Sequence, residues 1–373
     1  MRGIPGLIRV RGLAAAALCA MLGASALSTD ASAQTPKPAA PTDPAPSGPG
    51  TAKGMAGGTA GGTAKPPATL SKAMQRELPS PYTVNAEGAR PRATADADLA
   101  YGAYQRGRYN TAFREATKRV EANPRDAAAL TLLGELYNQG LGVRQDPKRA
   151  LEWYRLAAAQ GDAHAMASLG LMAMDGRGGA KDPKAGRAWL ERAASAGEAS
   201  ASYNLALILL GTGKDADTAQ AATLFRKAAG AEVGPAQHDL GVLYLQGRGV
   251  PKDAAQAAQW FRRAADNGDL AGEVEFAILL FNGNGVAKDE ARAARYFLHA
   301  AARGNAIAQN RAARLYAIGR GLPRNPVEAA AWNLAATAQG LSDAWLDQTL
   351  AGLSADERAR AERLANERAQ TQP

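Results

Sequence analysis

One cysteine (Cys19), three histidines and a 6% share of aromatic residues are all that this 373-residue chain offers of the side chains on which thiol chemistry, metal sites and large aromatic cores depend. A single cysteine can close no intrachain disulfide. His164, His238 and His299 stand far apart and in different local contexts, so they are not expected to converge on a metal. The chain also lacks a Gly-x-Ser-x-Gly elbow, a His-Glu-x-x-His helix and a Walker loop, and no catalysis, cofactor or metal is expected of it.

Long apolar runs are nearly absent too. The exception is Leu13 to Leu27, whose 15 residues fall short of the ~20 that a bilayer-spanning helix needs. Arg2, Arg9 and Arg11 precede this run and Ala31-Ser32-Ala33 follows it. A basic segment, a short apolar segment and a small-x-small triplet in that order predict a secretory signal over 1–33, cleaved after Ala33. The expected mature chain is exported to the periplasm, keeps no cysteine and has no transmembrane segment.

The formal net charge of +9 is unevenly placed. Residues 1–93 hold ten Lys/Arg against four Asp/Glu, whereas 94–373 hold 34 against 31. A nucleic-acid binder concentrates basic charge on its folded module, so no nucleic-acid partner is expected. Between Gln34 and Thr69 there are eight prolines and seven glycines, and no aromatic occurs before Tyr82. Such a composition buries too little apolar surface to offset chain entropy, and 34–93 reads as a disordered linker.

What the chain does have is a repeat. A sentence of about 36 residues is written six times over 128–344, as in LGELYNQGLGVRQDPKRALEWYRLAAAQG (133–161) and LGVLYLQGRGVPKDAAQAAQWFRRAADNG (240–268). Each copy predicts helix, glycine loop, helix and tight turn. In the first, Leu130, Leu133, Leu136 and Tyr137 have helical spacing, Gly140 ends the helix in a left-handed conformation, and Asp146 with Pro147 starts the next. The second helix carries Ala150, Trp153, Tyr154, Ala157 and Ala158 on one face, and Gly161 ends it. A small residue recurs in mid-helix at Gly134, Gly170, Ala206, Gly241, Ala277 and Ala313. Glycine there costs roughly 1 kcal/mol against alanine, so close helix–helix approach is the reading that explains it. The third copy is one residue short and puts Glu232 where the turn glycine belongs, which predicts a tightened loop.

Flanking segments close the array. Tyr104-x-x-Gly107-x-Tyr109-x-x-Ala112-Phe113-x-x-Ala116 within 94–127 looks like a tetratricopeptide unit of two helices, an N-terminal cap. In 345–373, Ser354-x-x-Glu357 reads as a capping box opening a last helix over Ala355–Arg368.

The pattern Leu-Gly-x-x-Tyr-x-x-Gly-x-Gly-Val-x-x-Asp, followed by Ala-x-x-Trp-Tyr/Phe-x-x-Ala-Ala-x-x-Gly, resembles the Sel1-like repeat, a relative of the tetratricopeptide repeat. The resemblance implies an all-α fold, an α/α superhelical solenoid of helix pairs, and an adaptor or scaffold role, which for exported bacterial members lies in the cell envelope. The alternative it raises is a cell-wall or β-lactam ligand-binding or hydrolysing protein; that branch carries a disulfide pair in each repeat, which this chain lacks. In superhelices of this type one side of each first helix lines the concave surface. Offsets of −2, +1 and +5 from the mid-helix small residue fall on that side. The expected partner-binding residues are an apolar ribbon of Leu171, Leu207, Val242 and Ile278, edged by Asn204, Asp239, Glu275, Gln246 and Asn282. Such a ribbon suits an extended or helical peptide segment. The competing reading makes the ribbon part of the inter-repeat core.

Overall fold

The computed structural model describes residues 99–371; the expected signal and linker lie outside the described residues. Among the described residues there are sixteen α-helices and no strand. The leading pair is α1 (Leu99–Gln105) and α2 (Tyr109–Ala122). Six repeat pairs follow: α3 (Ala127–Gln139) with α4 (Pro147–Ala159), α5 (Ala163–Asp175) with α6 (Pro183–Ser195), and α7 (Ala199–Leu210) with α8 (Asp215–Gly230). Then come α9 (Gly234–Gln246) with α10 (Ala254–Asp266), α11 (Leu270–Asn282) with α12 (Glu290–Ala302), and α13 (Ala306–Ile318) with α14 (Pro326–Ala338). The array ends in α15 (Ala344–Leu350) and α16 (Ala355–Thr371). Each helix packs chiefly on its predecessor and successor, which is the organisation of a superhelical solenoid.

Local chemistry sets these boundaries. Gly140, Gly176, Gly247, Gly283 and Gly319 end the first helices at φ of 71–77°, and each cap N–H returns to a carbonyl four residues back. Asp146, Asp182, Asp253, Asp289 and Asn325 start the second helices, their side chains accepting from backbone N–H groups of the first turn.

The mid-helix small residues mark close approach within a repeat. A Cβ on Gly134 would stand 2.7 Å from the Tyr154 ring, one on Gly170 2.8 Å from Leu190, and one on Gly241 2.7 Å from the Phe261 ring. Tyr154, Leu190 and Phe261 are fully buried. Contacts between repeats use the second loop glycine. A Cβ on Gly249 would lie 2.6 Å from the carbonyl oxygen of Thr218, at the start of the preceding repeat's second helix. Gly178, Gly285 and Gly321 abut the matching carbonyls of Pro147, Ala254 and Glu290.

The third repeat departs from all of this. Its loop shrinks to Gly211–Lys214, Gly211 is right-handed (φ −68°), and Gly213 abuts nothing within 4 Å. Neither α8 nor α9 has a side-chain cap. Asp217, aligned with the capping aspartates, lies inside α8 and accepts instead from the Thr212 hydroxyl at 2.7 Å. Glu232 takes the left-handed turn position at φ 61°, the one non-glycine with positive φ among the described residues. Its carboxylate compensates by accepting from Gln237 (2.9 Å), Arg263 (2.8 Å) and Asn267 (2.7 Å).

At the C-terminal end the Ser354–Glu357 capping box is present in both directions, at 2.9 Å and 3.3 Å. The last helix runs to Thr371 with Ala361 buried. The sequence reading had no counterpart to α15, a seven-residue helix capped by Asp343.

Candidate partner-binding face

The offsets −2, +1 and +5 place the candidate residues on α5, α7, α9 and α11. Charged positions from neighbouring repeats lie within electrostatic reach of one another. Glu275 on α11 feels both His238 on α9 and Arg311 on α13; burial raises its carboxyl above the usual range and these two cations oppose the rise. Asp239 Oδ1 lies 3.0 Å from His238 Nδ1, and the His238 ring packs 5.6 Å from Phe261. Arg311 is pulled below its ordinary value by burial and by neighbouring Arg314, while Asp343 and Glu275 hold it up. His238, Asp239, Glu275 and Arg311 thus form a charged row across three repeats, two acids between two basic groups. His238 and Arg311 were not among the expected site residues. Arg311 could have been found as the sixth member of the −2 series, which ends in a cation.

The apolar ribbon is covered unevenly. Leu171 and Val242 are buried, at 9% and 7% exposure, whereas Leu207 and Ile278 are half-buried. Asn204 is buried, and its amide donates at 2.8 Å to the carbonyl of Ser200 on its own helix. Gln246 is half-buried and Asn282 exposed. The expected continuous ribbon is therefore corrected to two half-open apolar positions separated by core. Leu171, Asn204 and Val242 belong to the packing beneath the face.

Both ends of the series are filled by the protein's own groups. In the first repeat the +1 residue is Glu135, which accepts from the Tyr154 hydroxyl at 2.6 Å and from Gln139. Burial and Glu135 push the nearby Tyr104 hydroxyl up to about 12. In the sixth repeat the +1 residue is Arg314, which forms a two-pronged pair with Asp343 (2.7 and 2.8 Å) and lies over the Trp345 ring at 4.9 Å. Asn310 donates to the same carboxylate at 2.7 Å. Burial works against the Asp343 charge, but these donors hold its carboxyl below the ordinary range.

Among the described residues no group of three His, Cys, Asp or Glu side chains is close enough to hold a metal. No described helix is long and apolar enough to cross a membrane.

A six-fold helix-pair repeat with glycine caps, aspartate starts and mid-helix small residues at one spacing can be compared with known families. The Sel1 repeat family model matches residues 127–162, 163–198, 199–231, 234–269, 273–305 and 306–341. The chain belongs to the Sel1 repeat family. Sel1 repeat proteins are in general scaffolds for protein–protein interaction. Among solved structures, the chain is similar to a protective antigen of uropathogenic Escherichia coli strains displaying an SLR fold, at 27% identity over 73% of this chain and 67% of that one (TM-score 0.45). It is also similar to a Sel1 repeat protein from Oxalobacter formigenes, at 26% identity over 72% of this chain and 98% of that one (TM-score 0.40). An immunity protein from Pseudomonas aeruginosa matches at 16% identity over 73% of this chain and 84% of that one (TM-score 0.37). No match is found among curated proteins.

Proposed function

We propose that this Sel1 repeat protein is an exported adaptor of the bacterial cell envelope that holds a partner protein or peptide segment across its middle four repeats, binding it rather than transforming it. The observation that carries the reading is the contrast along one series of positions. Glu135 and Arg314 are consumed by internal partners at the two ends. Between them Leu207 and Ile278 stay half-open beside Asp239, Glu275, Gln246 and Asn282. Apolar positions inside a polar rim fit a peptide segment whose side chains enter the gaps between repeats. The signal-like 1–33 supports export, and the scaffold role general to the family supports binding.

The test is in-cell crosslinking of the tagged chain beside a Leu207→Glu/Ile278→Glu variant. These two positions are chosen because Val242 is buried, and a charge there would threaten the fold before it tested the surface. A specific envelope protein captured by the wild type and lost in a variant with unchanged circular dichroism supports the adaptor face. Equal capture by both removes the interface from this face. The envelope fraction should contain the chain with its N-terminus at Gln34; a chain confined to the cytoplasm with an intact Met1 would overturn the export reading.

A further inference from the structure

A polar bracket found in the fourth and sixth repeats is broken in the fifth. In the fourth repeat the fully buried Gln237 donates at 3.0 Å to the carbonyl of Ala229, eight residues back, and accepts at 2.9 Å from Asn267, thirty residues on. In the sixth, buried Gln309 does the same with Ala301 (3.2 Å) and Gln339 (2.8 Å). The fifth repeat has Glu273 at this position, 3% exposed. Its carboxylate cannot donate to Ala265 as an amide does, and it turns to His299, whose Nδ1 lies 2.7 Å away.

Beside this break lies an open cleft of about 350 Å³, lined by Ala265 and Asp266 of α10, Glu273 of α11, and Arg292, Arg295, Tyr296 and His299 of α12. It shares no residue with the partner-binding face. Arg292, Arg295 and His299 sit at i, i+3 and i+7 of α12 and so project together. Of the two acids in the lining, Glu273 is paired with His299 at 2.7 Å, and Asp266 stands exposed at the rim with Arg262 3.9 Å away. Arg292 lies 5.8 Å from the centroids of both the Phe276 and Tyr296 rings, which brace its planar face. Neither guanidinium makes a side-chain hydrogen bond or ion pair among the described residues. Two such forks, one braced by aromatic rings, with an imidazole beside them, match the geometry of carboxylate and phosphate oxygens.

We propose that the α10–α11–α12 cleft is a binding site for a small ligand bearing an oxyanion, a carboxylate or a phosphate group, held by Arg292 and Arg295. The experiment is calorimetric titration of the whole chain at fixed ionic strength with two probes, inorganic phosphate and glucuronate, with chloride as the control anion. Saturable binding of at least one probe is expected. It should weaken about tenfold or more in Arg292→Gln/Arg295→Gln, through loss of charge-assisted hydrogen bonds. It should also weaken, though less, in Arg295→Gln alone, an exposed position that the fold does not depend on. Saturation by phosphate alone assigns the ligand to phosphate esters, and saturation by glucuronate alone to carboxylate-bearing molecules. The proposal is overturned if neither probe saturates, if chloride competes equally, or if the double variant, folded by circular dichroism, binds as the wild type does.

Discussion

At the scale of the residue, the same substitution should have opposite signs at two helical glycines. Gly241→Ala gains up to about 1 kcal/mol of helix propensity. It also drives a Cβ to 2.7 Å from the ring of Phe261, which is fully buried and has no room to yield. Overpacking of this kind costs about 1–3 kcal/mol, so net destabilisation is expected. Gly230→Ala meets nothing within 4 Å and should be neutral to stabilising. Urea unfolding of the two variants decides it, and a stabilised Gly241→Ala would remove the close-approach account. Glu273 offers a second test. Burial raises its carboxyl above the usual range, with His299 and Arg303 opposing the rise. The folded state therefore holds the proton more tightly than the unfolded state. This contribution is fully present below the unfolded pKa and is lost as pH rises through the higher folded value. Glu273→Gln, which restores the amide of Gln237 and Gln309, should abolish that loss. Denaturant midpoints should diverge from wild type as pH climbs from 4 toward 7, with the variant the more stable; parallel curves would show that Glu273 contributes no such dependence.

At the scale of the element, the loops carry the coupling between repeats, and the third repeat is the weak joint. Gly285→Ala combines a positive φ (70°) with collision against the Ala254 carbonyl, whereas Gly213→Ala has the same φ and nothing to meet. Both bear the left-handed penalty of roughly 1 kcal/mol. Only the first should also unseat its loop from the preceding repeat. The helices α8 and α9 are each short of about 1 kcal/mol of capping, and the loop leading into α8 lacks the glycine contact that its counterparts make with the preceding repeat. Hydrogen exchange should open this segment at a lower free energy than α11–α12; equal protection would count against local weakness. The repeat unit, its caps and its close approaches were legible in the sequence because each rests on one residue type at one spacing. The charged row was not, because His238, Glu275 and Arg311 come within electrostatic reach only through the stacking of the repeats. The ribbon of Leu171, Leu207, Val242 and Ile278 was half legible for the same reason. Periodicity assigned the helix face, but how deeply each member sinks depends on the neighbouring helix. Helix α15 was missed because it is seven residues long, too short for a periodic signal.

At the scale of the whole molecule, a solenoid is stable only as far as its ends are closed, since each repeat contacts little beyond its neighbours. The C-terminal closure is made by α16, which packs on α14. Arg368 lies 4.0 Å over the Trp332 ring and donates to Glu328 at 2.6 Å. Asp343 adds a second fastening by capping α15 while pairing with Arg314 and Asn310. Removing 343–373 would uncover Trp332 of α14, 5% exposed and covered by Arg368, and leave Arg314 without its carboxylate. An apolar helix face bared at the end of an array is a template for another copy of itself. The truncated chain should therefore unfold at lower temperature and show concentration-dependent self-association by sedimentation. Asp343→Asn, which keeps the shape and removes the charge, should lower the melting temperature without self-association. A truncated chain that stayed monomeric with unchanged melting would mean that α13 and α14 close the array unaided, and that α15 and α16 serve a purpose other than capping.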